Sequence, residues 1–219
     1  MKRIVFIGVI FIVGVTIGYQ FIKPKEKKLP FINPVDVNSE MVDSSLLRVG
    51  YGHKIGRFEF RNQNNKLVTD SDVKNKIYVA EYFFTTCKSI CPIMNSQMKR
   101  VQEKFSNNAD FKILSFTVDP ETDTVAQMKR YAKEHGANDN QWYFLTGEKK
   151  ALYELARQSF FVLKPAEAQN LGDAGSDFIH TNNFVLVDRK GRIRGYYDGT
   201  SQKEVSNLIR DINKLFQED

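Results

Sequence analysis

Apolar and polar positions along the middle of the chain change period in a regular order. "KIYVAEYFF" (76–84) is a nearly continuous apolar run that suits one buried central strand. After it, "PIMNSQMKRVQEKF" (92–105) places Ile93, Met94, Gln97, Met98, Val101 and Phe105 on one face at helical spacing. A strand "FKILSFTV" (111–118), a helix "TVAQMKRYAKEH" (124–135) capped by Gly136, and a strand "QWYFLTG" (141–147) follow. The helix "EKKALYELARQSF" (148–160) leads into residues 162–180, which have Gly and Pro but no period; irregular stretches of that length are usually functional or disordered. "NNFVLVD" and "RIRGYYDG" pair across an "RKG" turn as a hairpin, and "KEVSNLIRDINKLFQ" forms a closing helix. Upstream, "KIGRFEFRNQNNKLVTDSDV" (54–73) reads as two short strands around a polar turn.

The order β-β-β-α-β-α-β-α-β-β-α is an α/β arrangement. A strand that ends in a cysteine motif and opens a helix, with a late hairpin and a terminal helix, predicts a thioredoxin-like fold with an extra N-terminal β-hairpin. This domain is expected over 51–219. Ahead of it, "IVFIGVIFIVGVTIGYQFI" (4–22) carries no formal charge over 19 residues, the length of a single transmembrane helix. No small-x-small cleavage site follows it, so an uncleaved signal anchor is expected over 1–28, with basic flanks, and a polar linker over 29–50. Four lysines follow the span, against two basic side chains and the α-amino group before it, so the positive-inside rule does not decide orientation.

Charge changes the picture only by exclusion. The net charge is +6, but residues 1–28 alone carry six basic side chains against Glu26, leaving 26 basic and 25 acidic residues beyond them. The folded part is close to neutral, with no basic surplus for a phosphate backbone, and nucleic acid is not an expected partner.

The two cysteines of the chain stand in "FFTTCKSICPIMN" (83–95). Proline after the second cysteine suits a helix start and pushes the residue before it out of the helical region. Cys91 is therefore expected at the N-cap and Cys87 in the loop just before it, where the helix N-terminus stabilises thiolates. As a staple the pair would close only a short loop, which stabilises little. Redox and metal chemistry stay open. Of the three histidines, His135 belongs to a helix end and His53 to the polar entry of the domain. His180 lies two residues before the hairpin strand, in a loop that faces the dithiol in thioredoxin-like folds. Two thiolates and an imidazole make a soft site that favours copper, Cu(I) through the thiolates with Cu(II) also held, over four-coordinate zinc. Met94 and Met98, one turn apart, match the core face of their helix.

"FFTTCKSICPIMNSQM", "SFTVDPETDT" and "DFIHTNNFVLVDRKGRIRGYYDG", in that order over roughly 50–217, resemble the Sco/SenC family of copper-binding, thioredoxin-like proteins. The resemblance implies copper held by Cys87, Cys91 and His180. It also implies a membrane-anchored domain on the extracytoplasmic, periplasmic side that metallates the binuclear copper site of cytochrome c oxidase. The copper-bearing oxidase subunit is the implied partner, with another copper chaperone or a thiol reductant upstream. The alternative is a thiol-disulfide oxidoreductase in which Cys87 and Cys91 reduce the cysteines of the oxidase site. A peroxidase reading is weak because no proline stands in 80–84, and a sensor role leaves no distinguishing signal. Three positions depart from the family pattern: Lys88 after the first cysteine, Ile179 before the histidine (with Asp177 nearby), and Thr122 in "VDPETDT". The ligand set survives all three. In that block Asp119 is a candidate to tune the site from behind the ligands, while Asp119-Pro120 could simply form the turn and Thr122 or Asp123 cap the next helix.

Overall fold

A computed structural model describes Gly8, residues 12–16, Gly18, and residues 28–47, 50–162 and 181–218. Most of the expected anchor, and residues 163–180 including His180, lie outside the described residues. Among the described residues no helix is long and apolar enough to cross a membrane.

Seven strands form one mixed sheet: β1 (Glu59–Asn62), β2 (Leu67–Thr69), β3 (Ile77–Phe83), β4 (Phe111–Thr117), β5 (Trp142–Thr146), β6 (Asn183–Val187) and β7 (Ile193–Asp198). Their order across the sheet is β2-β1-β5-β4-β3-β6-β7. β3, β4 and β5 run parallel, whereas β1 and β6 join them antiparallel. The long helices of the domain are α1 (Cys91–Lys104), α2 (Val125–Glu134), α3 (Lys149–Gln158) and α4 (Gln202–Gln217), and a single helical turn covers Ser44–Leu47. The expected α/β, thioredoxin-like arrangement with an added N-terminal hairpin is therefore present, each of these elements within about two residues of its expected ends.

The apolar run of β3 is explained by its position. All seven residues are buried, because both neighbouring strands and both faces are covered. Ile77, Val79 and Phe83 face one core with Met94, Met98 and Val101 of α1, Met128 and Tyr131 of α2, and Leu208 and Ile212 of α4. Tyr78, Ala80 and Tyr82 face a second core with Leu152, Leu155 and Ala156 of α3 and Phe58 and Phe60 from the hairpin. Met94 and Met98 are thus core residues, as their spacing implied. Gly136 ends α2 with φ +66°, and the Ala137 N–H closes back on the Ala132 carbonyl at 2.9 Å, a left-handed cap that disfavours a side chain.

The structure differs from expectation over the stretch read as a free linker. Leu29, Asn33 and Val42 are buried, and the Ile32 N–H donates to the Ile193 carbonyl at 3.0 Å, along the outer edge of β7. Polar composition concealed this because the apolar side chains that reach the cores, Leu29 and Val42 among them, follow no period, and main-chain groups and one buried arginine add to them. Arg194 donates to the carbonyls of Leu29 (2.7 Å) and Pro30 (3.0 Å) while pairing with Asp188 and Glu218.

Candidate metal centre

Cys87 and Cys91 lie at the end of β3, where the chain leaves the sheet and turns into α1. Both are free thiols and both are buried. Cys91 is the first residue of α1, with Ile90 in the N-cap position at φ −85°, ψ −32°. This corrects the expectation that Cys91 caps the helix. Pro92 needs only to lie in the first turn, where amide hydrogens have no intrahelical acceptor, so the helix begins one residue earlier than proline alone suggested. The consequence for the thiols is direct: the Cys91 N–H donates to Cys87 Sγ at 3.5 Å, and the Ser89 hydroxyl lies 3.7 Å from the same sulfur.

These contacts make the two thiols unequal. Burial works to raise the Cys87 thiol, but hydrogen bonds from the Cys91 thiol and N–H and from Ser89 outweigh it, and its pKa falls below the ordinary value. Cys91 is raised well above the ordinary range by burial, by donating its proton toward Cys87, and by the charges of Cys87 and Glu81, with the Phe84 backbone opposing. Cys87 is therefore the more acidic of the two sulfurs, and Cys91 the one held as a thiol.

Behind them lies a residue that the sequence reading passed over. Glu81 interrupts the apolar run of β3, 1% exposed, with one carboxylate oxygen accepting from Ser115 and the other, Oε2, without a hydrogen bond. Burial raises its pKa to about 7, against the stabilising bond from Ser115. The signal was a single charged residue inside "KIYVAEYFF". Alternation along the strand places Glu81 on the face of Val79 and Phe83, the face that carries α1 and both cysteines.

The "VDPETDT" loop meets the cysteine loop through Asp123. Its buried carboxylate accepts the Thr85 N–H at 3.2 Å and the hydroxyls of Thr85 and Thr117. Burial raises its pKa, partly offset by the Thr117 and Thr85 hydrogen bonds. Thr124, rather than Thr122 or Asp123, caps α2 by accepting from the Gln127 N–H. Asp119 closes its own turn, accepting from the Thr122 N–H at 3.4 Å while its N–H donates to Thr117 Oγ1 at 2.8 Å. Asp123→Ala leaves the buried Thr117 hydroxyl and the half-buried Thr85 N–H without their acceptor; the expected loss is about 2–4 kcal/mol in urea unfolding. The Cys87 thiol pKa, read from the pH dependence of alkylation, should rise as the loop loosens. Asp123→Asn, which keeps an acceptor, should do less of both.

The histidines divide. His53 holds Nε2 2.8 Å from the Ser159 carbonyl and stacks on Phe161, while His135 sits against Tyr131 at the end of α2. His180 is outside the described residues, and among the described residues no cluster of three or more His, Cys, Asp or Glu is placed to hold a metal. β6 runs antiparallel to β3, with Val185 opposite Ala80, so its first residue and Thr181 before it lie at the end of β3 from which the cysteine loop leaves.

A strand, a loop with two reduced cysteines and a helix, set in this sheet, define a thioredoxin-like dithiol protein. Residues 50–217 match the family SCO1/SenC, and the chain belongs to that family. Among relatives, a SCO1 protein homolog of Bacillus subtilis is 33% identical over 162 residues, covering 73% of this chain and 81% of its own. The structure of BsSco, a member of the Sco family of cytochrome c oxidase assembly proteins in which a disulfide switch was identified, is 30% identical (TM-score 0.64, 76% of this chain, 95% of its own). A SCO1/SenC family lipoprotein from Bacillus anthracis is 27% identical (TM-score 0.65, 75% and 95%). ScoI of Bradyrhizobium japonicum, solved with copper bound, shares the fold at 23% identity (TM-score 0.58, 75% and 99%).

Proposed function

We propose that this protein carries copper on Cys87, Cys91 and His180 and delivers it to the binuclear copper site of cytochrome c oxidase. The observation that carries the reading is the pair of adjacent, free thiols at the start of α1, Cys87 the more acidic of the two, in a chain of the SCO1/SenC family. Soft sulfur donors suit Cu(I), and an imidazole completes a site that also accepts Cu(II). His180 is the neighbour of Thr181, which lies at the cysteine end of β3. Copper bound to ScoI and the oxidase-assembly role of BsSco's family support the same reading. The apolar stretch 4–22 would anchor the domain on the extracytoplasmic side of a membrane, in keeping with the lipoprotein relative.

The unequal thiols favour a second reading, a disulfide reductase. Cys87 thiolate would attack one sulfur of a partner disulfide and release the other; Cys91 would then attack the mixed disulfide. The partner gains two electrons and two protons, and this chain keeps a Cys87–Cys91 disulfide.

Titration of the reduced full-length chain in detergent with Cu(I), against a competing chelator, separates the two. Carriage of copper predicts one tightly bound ion, with affinity falling on the order of a hundredfold in His180→Ala, as loss of a ligand should cost at least what loss of its support does. Affinity unchanged in His180→Ala removes that residue from the site. A chain that binds no copper but reduces a disulfide substrate is a reductase.

A further inference from the structure

Five exposed cations gather at the end of β3 opposite the cysteines. Lys54, Arg57, Lys74 and Lys190 border a cleft of about 910 Å³ between the N-terminal hairpin, the start of β3 at Asn75 and Tyr78, and the β6–β7 turn. Lys28 lies beside a smaller cavity that shares Arg189 and Lys190 with the cleft. Only Glu59 and Asp70 among the cleft residues are acidic. None of the five cations makes an ion pair among the described residues, whereas Asp188 and Glu218, the acids of the smaller cavity, are occupied by Arg192 and Arg194. A near-neutral domain thus concentrates a surplus of positive charge at one end.

That end is also where the chain enters the fold. Glu218 Oε1 accepts the Leu29 N–H at 3.0 Å, and Arg194 holds the Leu29 and Pro30 carbonyls, so Lys28 is fixed beside the β6–β7 turn. Five residues, "KPKEK" with three further lysines, separate it from the end of the apolar stretch at Ile22. Fully extended, that connection reaches at most about 20 Å. β3 carries the cysteine loop about 20 Å the other way.

We propose that this basic end docks on anionic phospholipid headgroups, so that the domain stands on the bilayer with its cysteines turned away from it. The inference rests on residues 4–22 lying in a membrane, as proposed above. The tether keeps the cations within reach of the surface, and each basic side chain near an anionic leaflet strengthens attachment, roughly fivefold per charge. Attraction of this kind fades beyond about 10 Å at 0.1 M salt, so docking should be salt-sensitive.

The test reconstitutes the full-length chain into nanodiscs of phosphatidylcholine alone or with about one-third phosphatidylglycerol, a composition that supplies the anionic surface. Amine-reactive footprinting then reads Lys54, Lys74 and Lys190 by mass spectrometry, with Lys88 in the cysteine loop as internal reference. Docking predicts several-fold protection of the three lysines, but not of Lys88, in the anionic discs only. Protection should disappear in high salt, and the pair Arg57→Gln and Lys190→Gln should weaken it at Lys54 and Lys74. Equal reactivity in both discs overturns the docking while leaving the anchor intact, and protection independent of lipid charge overturns anionic recognition. A chain that fails to incorporate into either disc overturns the anchor reading itself, and the docking with it.

Discussion

Arg194→Ala should destabilise the domain by about 3–5 kcal/mol, the range for removing one partner from a buried charge network. The guanidinium is 3% exposed and every one of its nitrogens is engaged: Nη1 with Asp188 at 3.2 Å, Nη2 with Glu218 and the Leu29 carbonyl at 2.7 Å, and Nε with the Pro30 carbonyl at 3.0 Å. It also lies 4.5 Å from the Phe31 ring centroid. Truncation strands two carbonyls and leaves the Glu218 carboxylate with the Leu29 N–H alone, whereas Asp188 keeps Arg192 at 2.7 Å. Three separate parts of the chain meet there: the entry segment, β7 and the end of α4. Hydrogen exchange should therefore accelerate first over residues 29–33 and the last turn of α4, and urea unfolding should report the full loss. Arg194→Lys should recover only part of it, because a single ammonium cannot span four acceptors set around a planar fork. Unchanged exchange at Leu29 and Ile32 would show that the entry segment is held by other contacts.

Glu81→Gln should remove a pH-dependent penalty of about 3 kcal/mol. The carboxyl has a folded pKa of about 7 against 4.5 for an ordinary glutamate, so between those values the native state holds a proton that the unfolded chain has released. Stability contributed by this group is therefore fully present below pH 4.5, declines as pH rises, and is gone above about 7. His53 and His135, both lowered chiefly by burial, act in the opposite sense: they cost stability as pH falls below 6.5. Because they titrate identically in both proteins, the difference between the wild-type and Glu81→Gln stability curves isolates Glu81. That difference should grow from near zero at about pH 4 to its full value by about pH 8, measured by urea unfolding with the thiols kept reduced. The variant should also bring the Cys91 thiol down, since the Glu81 charge is one of the causes that hold it up. A flat difference would mean that Oε2 finds a hydrogen-bond donor, and that the carboxylate is ionised throughout.

The two predictions concern charged residues whose roles were not legible along the chain. Strand and helix periods were legible: β3 from its nearly continuous apolar run, α1 from Met94, Met98 and Val101, the β6–β7 hairpin from its turn, and the end of α2 from Gly136. Those are local properties, set by which side chains can share a face and which residues tolerate a turn. The cysteine pair, its place at a helix start and its family resemblance were local as well.

Tertiary structure decided what local pattern cannot contain. Glu81 reads as an imperfection in a strand until both faces of that strand are covered; only then is its second oxygen stranded beneath the dithiol. Asp123 reads as a helix cap, and becomes the acceptor that holds the cysteine loop only because β3 and β4 lie parallel and end together. Residues 29–33 read as a linker, since their contacts, backbone groups on Arg194 with Leu29 in the core and Phe31 under two guanidiniums, give the side-chain pattern no period. The difference in acidity between Cys87 and Cys91 likewise has no counterpart in "CKSIC". It arises from burial first, then from the Cys91 amide and the Ser89 hydroxyl folded back onto Cys87 within the turn, and from the Glu81 carboxylate that β3 places near Cys91; burial makes each of them count for more than it would in water.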